Sequence, residues 1–298
     1  MIKVLVTGAN GLLGQHLIKQ LLENGFSVVA TGRGPSRLIF PEGENYKYVE
    51  ADLINGQVIN NLLYNERARV IVHAGAMTEV DECEQNQDAC FEVNVQATAQ
   101  LLVAAEEYAE FFIYISTDFV FDGKSGYYAE EDHLNPISWY GFTKVQAEST
   151  VETSEIPWAI VRTCLVYGNI NNGTRSNIIS WVKDNLQAGK KIKVVSDQYR
   201  TPTYVEDLAR GIILVIQQRA TGIFHISGKD MLTPYDIAIA TADYFNLNKE
   251  LIKKVDASVF TQPARRPLKT GFNITKAQNV LGFQPLSFTE GMKLMING

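Results

Sequence analysis

Cysteine is scarce: Cys83, Cys90 and Cys164 are the only three in 298 residues, an odd number without metal-ligand spacing. That argues against a disulfide frame and fits reduced thiols in a cytoplasmic protein. Long apolar runs are missing too. Stretches such as Gly211 to Ile216 fall far short of the roughly 20 residues a spanning helix needs, so no membrane partner is expected. The chain enters an apolar strand directly, and no cleavable leader is expected. No basic stretch offsets the net charge of −6, which argues against nucleic acid as a partner. No repeat or low-complexity segment is visible. No His/Cys/carboxylate cluster has metal-ligand spacing; His73, His133 and His225 are expected to be structural, and His16 to face solvent or pack on the first helix. What the chain does have is 46% hydrophobic residues, enough to bury the core of one large or two interlocked domains.

The most informative stretch is at the start. Ile2 to Val6 is a β-branched apolar run, and Gly8, Gly11 and Gly14 follow at three-residue spacing. Leu13, Leu17, Leu21 and Leu22 then share one face of a helix that Asn24-Gly25 can end. A glycine triplet alone is a weak signal. Between a strand and a helix it is a strong one, because it lets the backbone approach a pyrophosphate held at the helix N-terminus. Gly8, Asn10, Gly11, Leu12 and Gly14 are the cofactor-binding candidates of this turn.

Further strands are predicted at Ser27–Thr31, Tyr46–Glu50, Val70–His73, Phe111–Ser116 and Trp158–Thr163. Helices are predicted at Val58–Leu63, Asn86–Tyr108 (one long helix) and Tyr140–Thr153. This alternation gives an α/β fold with a doubly wound parallel sheet of Rossmann type. After Gly168 a turn-rich break at Asn169–Gly173 leads to a helix (Asn177–Gln187) and a short strand (Lys191–Val195). Val205–Gln217 and Ile223–Ile226 read as a helix and a strand returning to the sheet. The expected organisation is a cofactor domain over 1–168 plus roughly 200–227. A smaller α/β substrate-binding lobe takes roughly 169–199 and 228–298.

The residue that ends the second strand of such a fold reads the adenine ribose, and a carboxylate there favours NAD. Thr31-Gly-Arg-Gly-Pro-Ser-Arg37 has none, and it offers Arg33, Ser36 and Arg37. The expected coenzyme is NADP(H), with Arg33 on the 2′-phosphate. Asp52 and Leu53 are placed to close over the adenine, with a helix cap as the alternative for Asp52. Ala74-Gly75-Ala76 is small enough for the cofactor to pass over.

Tyr140 and Lys144 are four residues apart on one helix face. A phenol near a lysine ammonium is expected to have its pKa moved down towards working pH. Ser116 and Thr117 end a strand at the sheet's carboxyl edge, where a hydroxyl can steady a substrate carbonyl. Arg200, Arg265 and Arg266 suit a diphosphate, with a solvated surface pair as the alternative.

The glycine turn, Ser116-Thr-Asp118 and Tyr140-Gly-Phe-Thr-Lys144 resemble the extended short-chain dehydrogenase/reductase family. Within it, the 4-keto nucleotide-sugar reductases of dTDP-rhamnose synthesis are resembled by Met77–Glu84, Asn94-Val95, Ser116–Gly123, Arg162–Gly168, Asp197–Tyr204 and Arg266-Pro267. The resemblance implies hydride transfer from NADPH to C4 of a 4-keto-6-deoxy nucleotide sugar. Tyr140 would protonate the oxygen, Thr117 hold the carbonyl, and Lys144 bind the nicotinamide ribose while depressing the Tyr140 pKa. It adds Asn94, Ser116 and Thr163 to the cofactor side, and Val80, Asp81, Asp118, Phe119, Leu165, Arg200 and Arg266 to the substrate side. For Asp81 a helix cap is the alternative.

Two departures bear on the sugar: Phe119 stands where tyrosine is usual, and Leu165 where a tryptophan is. Phe119 also replaces the glutamate of the sugar dehydratases, which argues against elimination. Some members use Mg²⁺ at a subunit contact; the residues here give it no independent support, and a homodimer is compatible with the resemblance. An epimerase of the same family is one alternative. A coenzyme-binding regulatory subunit, like that of methionine adenosyltransferase, is another, because that protein shares the Pro202–Val205 segment.

Overall fold

Val4 and Val6 point to one side of the first strand and Leu5 to the other, and all three are fully buried. A strand apolar on both faces needs cover on both, which sets the architecture. The computed structural model describes residues 1–170 and 177–297. In chain order the first half runs β1 (Lys3–Thr7), α1 (Leu12–Glu23), β2 (Ser27–Gly32), β3 (Tyr46–Glu50), α2 (Gly56–Glu66), β4 (Val70–His73), α3 (Val80–Gln85), α4 (Gln87–Phe91), α5 (Ala97–Ala105), β5 (Phe111–Thr117) and α6 (Trp139–Glu152). The second half runs β6 (Trp158–Thr163), β7 (Val166–Tyr167), α7 (Ile178–Gln187), β8 (Ile192–Val195), β9 (Thr203–Tyr204), α8 (Val205–Gln218), β10 (Gly222–His225), α9 (Pro234–Tyr244), β11 (Ile252–Val255), α10 (Thr275–Leu281) and α11 (Phe288–Asn297).

Seven strands form one sheet in the order β10-β6-β5-β4-β1-β2-β3, and every neighbouring pair is parallel. One face packs Leu17, Ile18 and Leu21 of α1 with Leu208, Ile212 and Val215 of α8. The other packs Leu62 and Leu63 of α2, Leu101 and Leu102 of α5, and Ala147 and Val151 of α6. Strand order reverses between β1 and β4, which opens a crevice at their carboxyl ends. Register puts Thr7 beside His73, and Thr117 beside Thr163, along that edge.

β8 and β11 pair in parallel as a separate two-stranded sheet, covered by Val182 and Leu186 of α7 and by Ala238 and Ala242 of α9. Thr233 and Asp236 cap α9 reciprocally, and Pro234 opens it.

The single helix expected over Asn86–Tyr108 runs without a break from Gln87 to Ala105, with a π turn inside it. Asn86 leaves helical backbone at φ −125°. Glu92–Gln96 is a π turn, and α5 ends at Ala105. A π turn carries one extra residue, and such turns gather at functional sites. Here it holds Asn94. Part of the predicted break at Asn169–Gly173 lies outside the described residues. Among the described residues no helix is long and apolar enough to cross a membrane.

Candidate active site

At the β1–α1 turn, Gly8 has φ +69°, and a Cβ there would sit 2.7 Å from the Ala74 carbonyl group and 2.8 Å from Gly75 N. Only glycine tolerates both demands. The turn therefore rests directly on the segment after β4, and α1 begins from Gly11 without a side-chain cap. A tight glycine cradle ending in an uncapped helix N-terminus fits a dinucleotide's pyrophosphate. Leu53 Cδ1 packs over Gly75, so Gly8, Leu53 and the Ala74–Ala76 segment come together as expected of a cofactor wall. Asp52 does not cap α2. Its carboxylate accepts from Ile54 N, while Asn55 is the cap.

A directed hydrogen-bond chain stiffens this wall. Gly75 N donates to Thr7 Oγ1 at 3.0 Å, and Thr7 Oγ1 lies 2.7 Å from His73 Nδ1. His73 Nε2 lies 3.0 Å from Thr98 Oγ1, which donates to Asn94 O. The Thr98 proton is spent on Asn94, so Nε2 carries the His73 proton and Nδ1 accepts from Thr7. Asn94 is buried, its Oδ1 accepts from Met77 N at 2.8 Å, and its Nδ2 faces Met77 O and Thr143 Oγ1. Expected as a cofactor contact, Asn94 has its amide engaged by protein and positions the loop after β4. Asn10 is likewise engaged, by the loop after β2. Arg33, in that loop, is exposed. Leu12 packs beside Tyr167 and Tyr204, and Thr163 Oγ1 donates to Thr203.

The reacting groups meet where α6 starts. Ser138 caps α6 by accepting from Gly141 N. A Cβ at Gly141 would lie 2.2 Å from Phe119 O, so any other residue would push the helix off the turn after β5. Sequence spacing did not single out Gly141, whose need for glycine arises across two elements. Seated this way, Tyr140 lies beside Thr117, with the Phe119 ring 5.7 Å away edge-on. Ser116 Oγ is buried with no hydrogen-bond partner among the described residues.

Lys144, one turn along α6, donates to Ile115 O at 2.7 Å and lies 4.1 Å from the Tyr114 ring centroid. Burial brings its ammonium down to about 7, with Glu148 pulling the other way. Burial pushes the Tyr140 phenol up, and the Thr117 hydrogen bond only partly opposes it. The expected depression of Tyr140 by Lys144 is thus outweighed: the buried lysine has itself lost most of its preference for charge, and desolvation dominates the phenol. Cys83 and Cys90 pack beneath Tyr140.

On the substrate side two expectations change. Arg200 is buried; it pairs with Asp118 at 3.3 Å and donates to the carbonyls of Tyr199, Pro267 and Leu268. Its guanidinium is consumed by protein, and Asp118 also accepts from Thr270. Arg200 is therefore not left to grip a diphosphate. Asp81 is not the cap of α3, whose cap position is Glu79. It holds Arg266 through two contacts of 2.8 and 3.0 Å and accepts from Ala264 N. Arg266 remains partly exposed, whereas Arg265 is exposed outright. Val80 packs with Tyr140 and Phe119. Leu165 stands at φ +40° with 40% of its surface exposed, an uncommon backbone state for a bulky residue. Among the described residues no group of three or more His, Cys, Asp or Glu side chains is arranged to hold a metal.

Comparison with known proteins matches residues 2–298 to the RmlD substrate binding domain family. A dTDP-4-dehydrorhamnose reductase of Aggregatibacter actinomycetemcomitans is 30% identical, over 98% of this chain and 98% of that one. Methionine adenosyltransferase 2 subunit beta of Bos taurus is also 30% identical, over 98% of this chain and 86% of its own length. The crystal structure of dTDP-4-dehydrorhamnose reductase from Bacillus anthracis in complex with NADP superposes with a TM-score of 0.82, at 28% identity, covering 100% of this chain and 99% of that one.

Proposed function

Since the chain belongs to the RmlD substrate binding domain family, we propose that it is an NADPH-dependent reductase acting at C4 of a 4-keto-6-deoxy nucleotide sugar. The observation that carries this reading is the buried pair Tyr140 and Lys144 seated at the carboxyl end of β5, with Lys144 donating to Ile115 O and Tyr140 beside Thr117. Reducing a carbonyl needs an acid at the oxygen, and burial keeps Tyr140 protonated and ready to donate. Thr117 steadies the same oxygen. Lys144 orients the nicotinamide ribose, and Phe119 and Val80 keep water from the phenol. The bound coenzyme supplies the hydride. Arg266 is the cation best placed for the diphosphate, by exchanging Asp81 for phosphate oxygens. The three free cysteines suit a cytoplasmic setting.

The relative among the adenosyltransferase subunits favours a second reading, a coenzyme-binding regulatory subunit. A coupled NADPH-oxidation screen over 4-keto nucleotide sugars separates them. A reductase consumes one NADPH per sugar reduced. An epimerase consumes none while converting sugar, and a regulatory subunit binds NADPH and converts nothing.

A further inference from the structure

The loop that joins β2 to β3 is held by two side chains from outside it. Asn10, in the turn after β1, points its Nδ2 at Arg33 O (3.2 Å), Pro35 O (3.1 Å) and Tyr48 Oη (3.0 Å), and its Oδ1 accepts from Arg37 N at 2.9 Å. Tyr48, on β3, directs its hydroxyl at Gly32 O (3.1 Å) and Gly34 O (2.8 Å). The carbonyls of Arg33 and Pro35 thereby face the Asn10 amide and that of Gly34 faces the phenol, while Gly32 O also accepts from Ala51 N. Carbonyl oxygens left loose in this loop would repel an incoming phosphate. Turned inward, they leave the exposed side chains of Arg33, Ser36 and Arg37 as the groups the loop presents. Burial pushes the Tyr48 phenol up, so its donor stays in place at working pH.

We propose that Asn10 and Tyr48 are positioning residues for the coenzyme's 2′-phosphate, fixing the 32–37 loop before the coenzyme arrives and so setting the preference for NADPH over NADH. This rests on the coenzyme assigned under the proposed function. Ordering a flexible loop on binding would cost conformational entropy for each residue fixed. A loop already ordered avoids that cost, and only a ligand that uses the loop gains from it. Tyr48 touches no coenzyme atom in this scheme; it acts through the loop's backbone.

The test titrates the full-length protein with 2′,5′-ADP and with ADP. Wild type is expected to favour 2′,5′-ADP. Tyr48→Phe is expected to weaken 2′,5′-ADP by roughly tenfold or more while ADP changes less than about twofold. Limited trypsin digestion without nucleotide is expected to cut faster at Arg33 and Arg37 in the variant. Adding Arg33→Ala to Tyr48→Phe should weaken 2′,5′-ADP little further, because the phenol acts through that arginine. Should Tyr48→Phe fail to fold, Asn10→Ala reads the same affinity ratio from the other side. Equal losses for both ligands, or an unchanged ratio, overturn the positioning role. A wild type that does not discriminate between the two ligands overturns the coenzyme reading itself, which is a separate failure.

Discussion

Arg200 Nε lies 3.3 Å from Asp118 Oδ2, and both side chains are buried beneath the strand end that carries Thr117. Thr117 Oγ1 donates to the other oxygen of the same carboxylate at 3.3 Å. The pair therefore braces the floor of the site and ties the 197–204 segment to it. Arg200→Ala would leave Asp118 charged, buried and uncompensated, at a cost of about 3–5 kcal/mol. Thermal unfolding should show a large fall in Tm. A normal Tm with a raised KM for the nucleotide sugar would instead return Arg200 to the diphosphate.

Tyr140→Phe removes the proton donor and keeps the ring that packs on Phe119. General acid groups contribute about 10²–10⁴ in rate, so kcat should fall by at least a hundredfold while NADPH affinity stays within a few-fold. The proposed acid needs no deprotonation to act, because its phenol lies above the ordinary range. Reduction should accordingly show no alkaline limb from Tyr140 near neutrality. Undiminished turnover in the variant removes Tyr140 from the mechanism.

Lys144 titrates near 7 in the free protein, brought down from 10.5 by burial. An oxygen-rich, anionic coenzyme favours the ammonium form and raises that value on binding. Above pH 7 the protein must then take up a fraction of a proton as NADPH binds, a fraction that grows as pH rises past 7. Calorimetry in buffers of different ionisation enthalpy measures this directly. NADPH affinity should weaken over the same interval. A buffer-independent heat at pH 8.5 would mean that Lys144 keeps its charge state on binding.

The parts of the site that sequence made legible are those whose meaning is local. The glycine turn lies within one strand–turn–helix unit, and Tyr140 and Lys144 are one helical turn apart, so spacing alone places them. Arg200, Asn94 and Asn10 were legible only as polar residues near the right motifs. What each does depends on which partners have already claimed its hydrogen bonds, and those partners lie far off in sequence: Asp118, where Arg200 and Thr270 meet, is 82 residues from Arg200 and 152 from Thr270, and Pro35 is 25 from Asn10. Tyr48 gave no signal, being one aromatic residue on an edge strand. The same distinction explains the π turn inside the helix expected over Asn86–Tyr108. Its alanines favour a helix throughout, yet the clamp of Asn94 on Met77 and Thr143 is met by the π turn at Glu92–Gln96.

His73 predicts how the fold responds to acid. Burial, with a smaller contribution from Lys144, holds it down to about 3 from an ordinary 6.5. A depressed pKa means that the folded state lacks a proton the unfolded chain binds below pH 6.5. The stability tied to neutral His73 is therefore complete above pH 6.5 and drains away as pH falls towards 3, by about 3 kcal/mol at pH 4. The structure supplies the reason: a proton on Nδ1 would face the Thr7 hydroxyl that now donates to it, breaking the chain from Gly75 to Asn94. His73→Gln keeps polar atoms in the gap and removes the titration. The variant should start from a lower Tm at pH 7 and lose much less between pH 6.5 and pH 4 than wild type does. Parallel Tm profiles across that interval would show that His73 takes up its proton as readily in the folded state as in the unfolded one, and that burial does not hold it down.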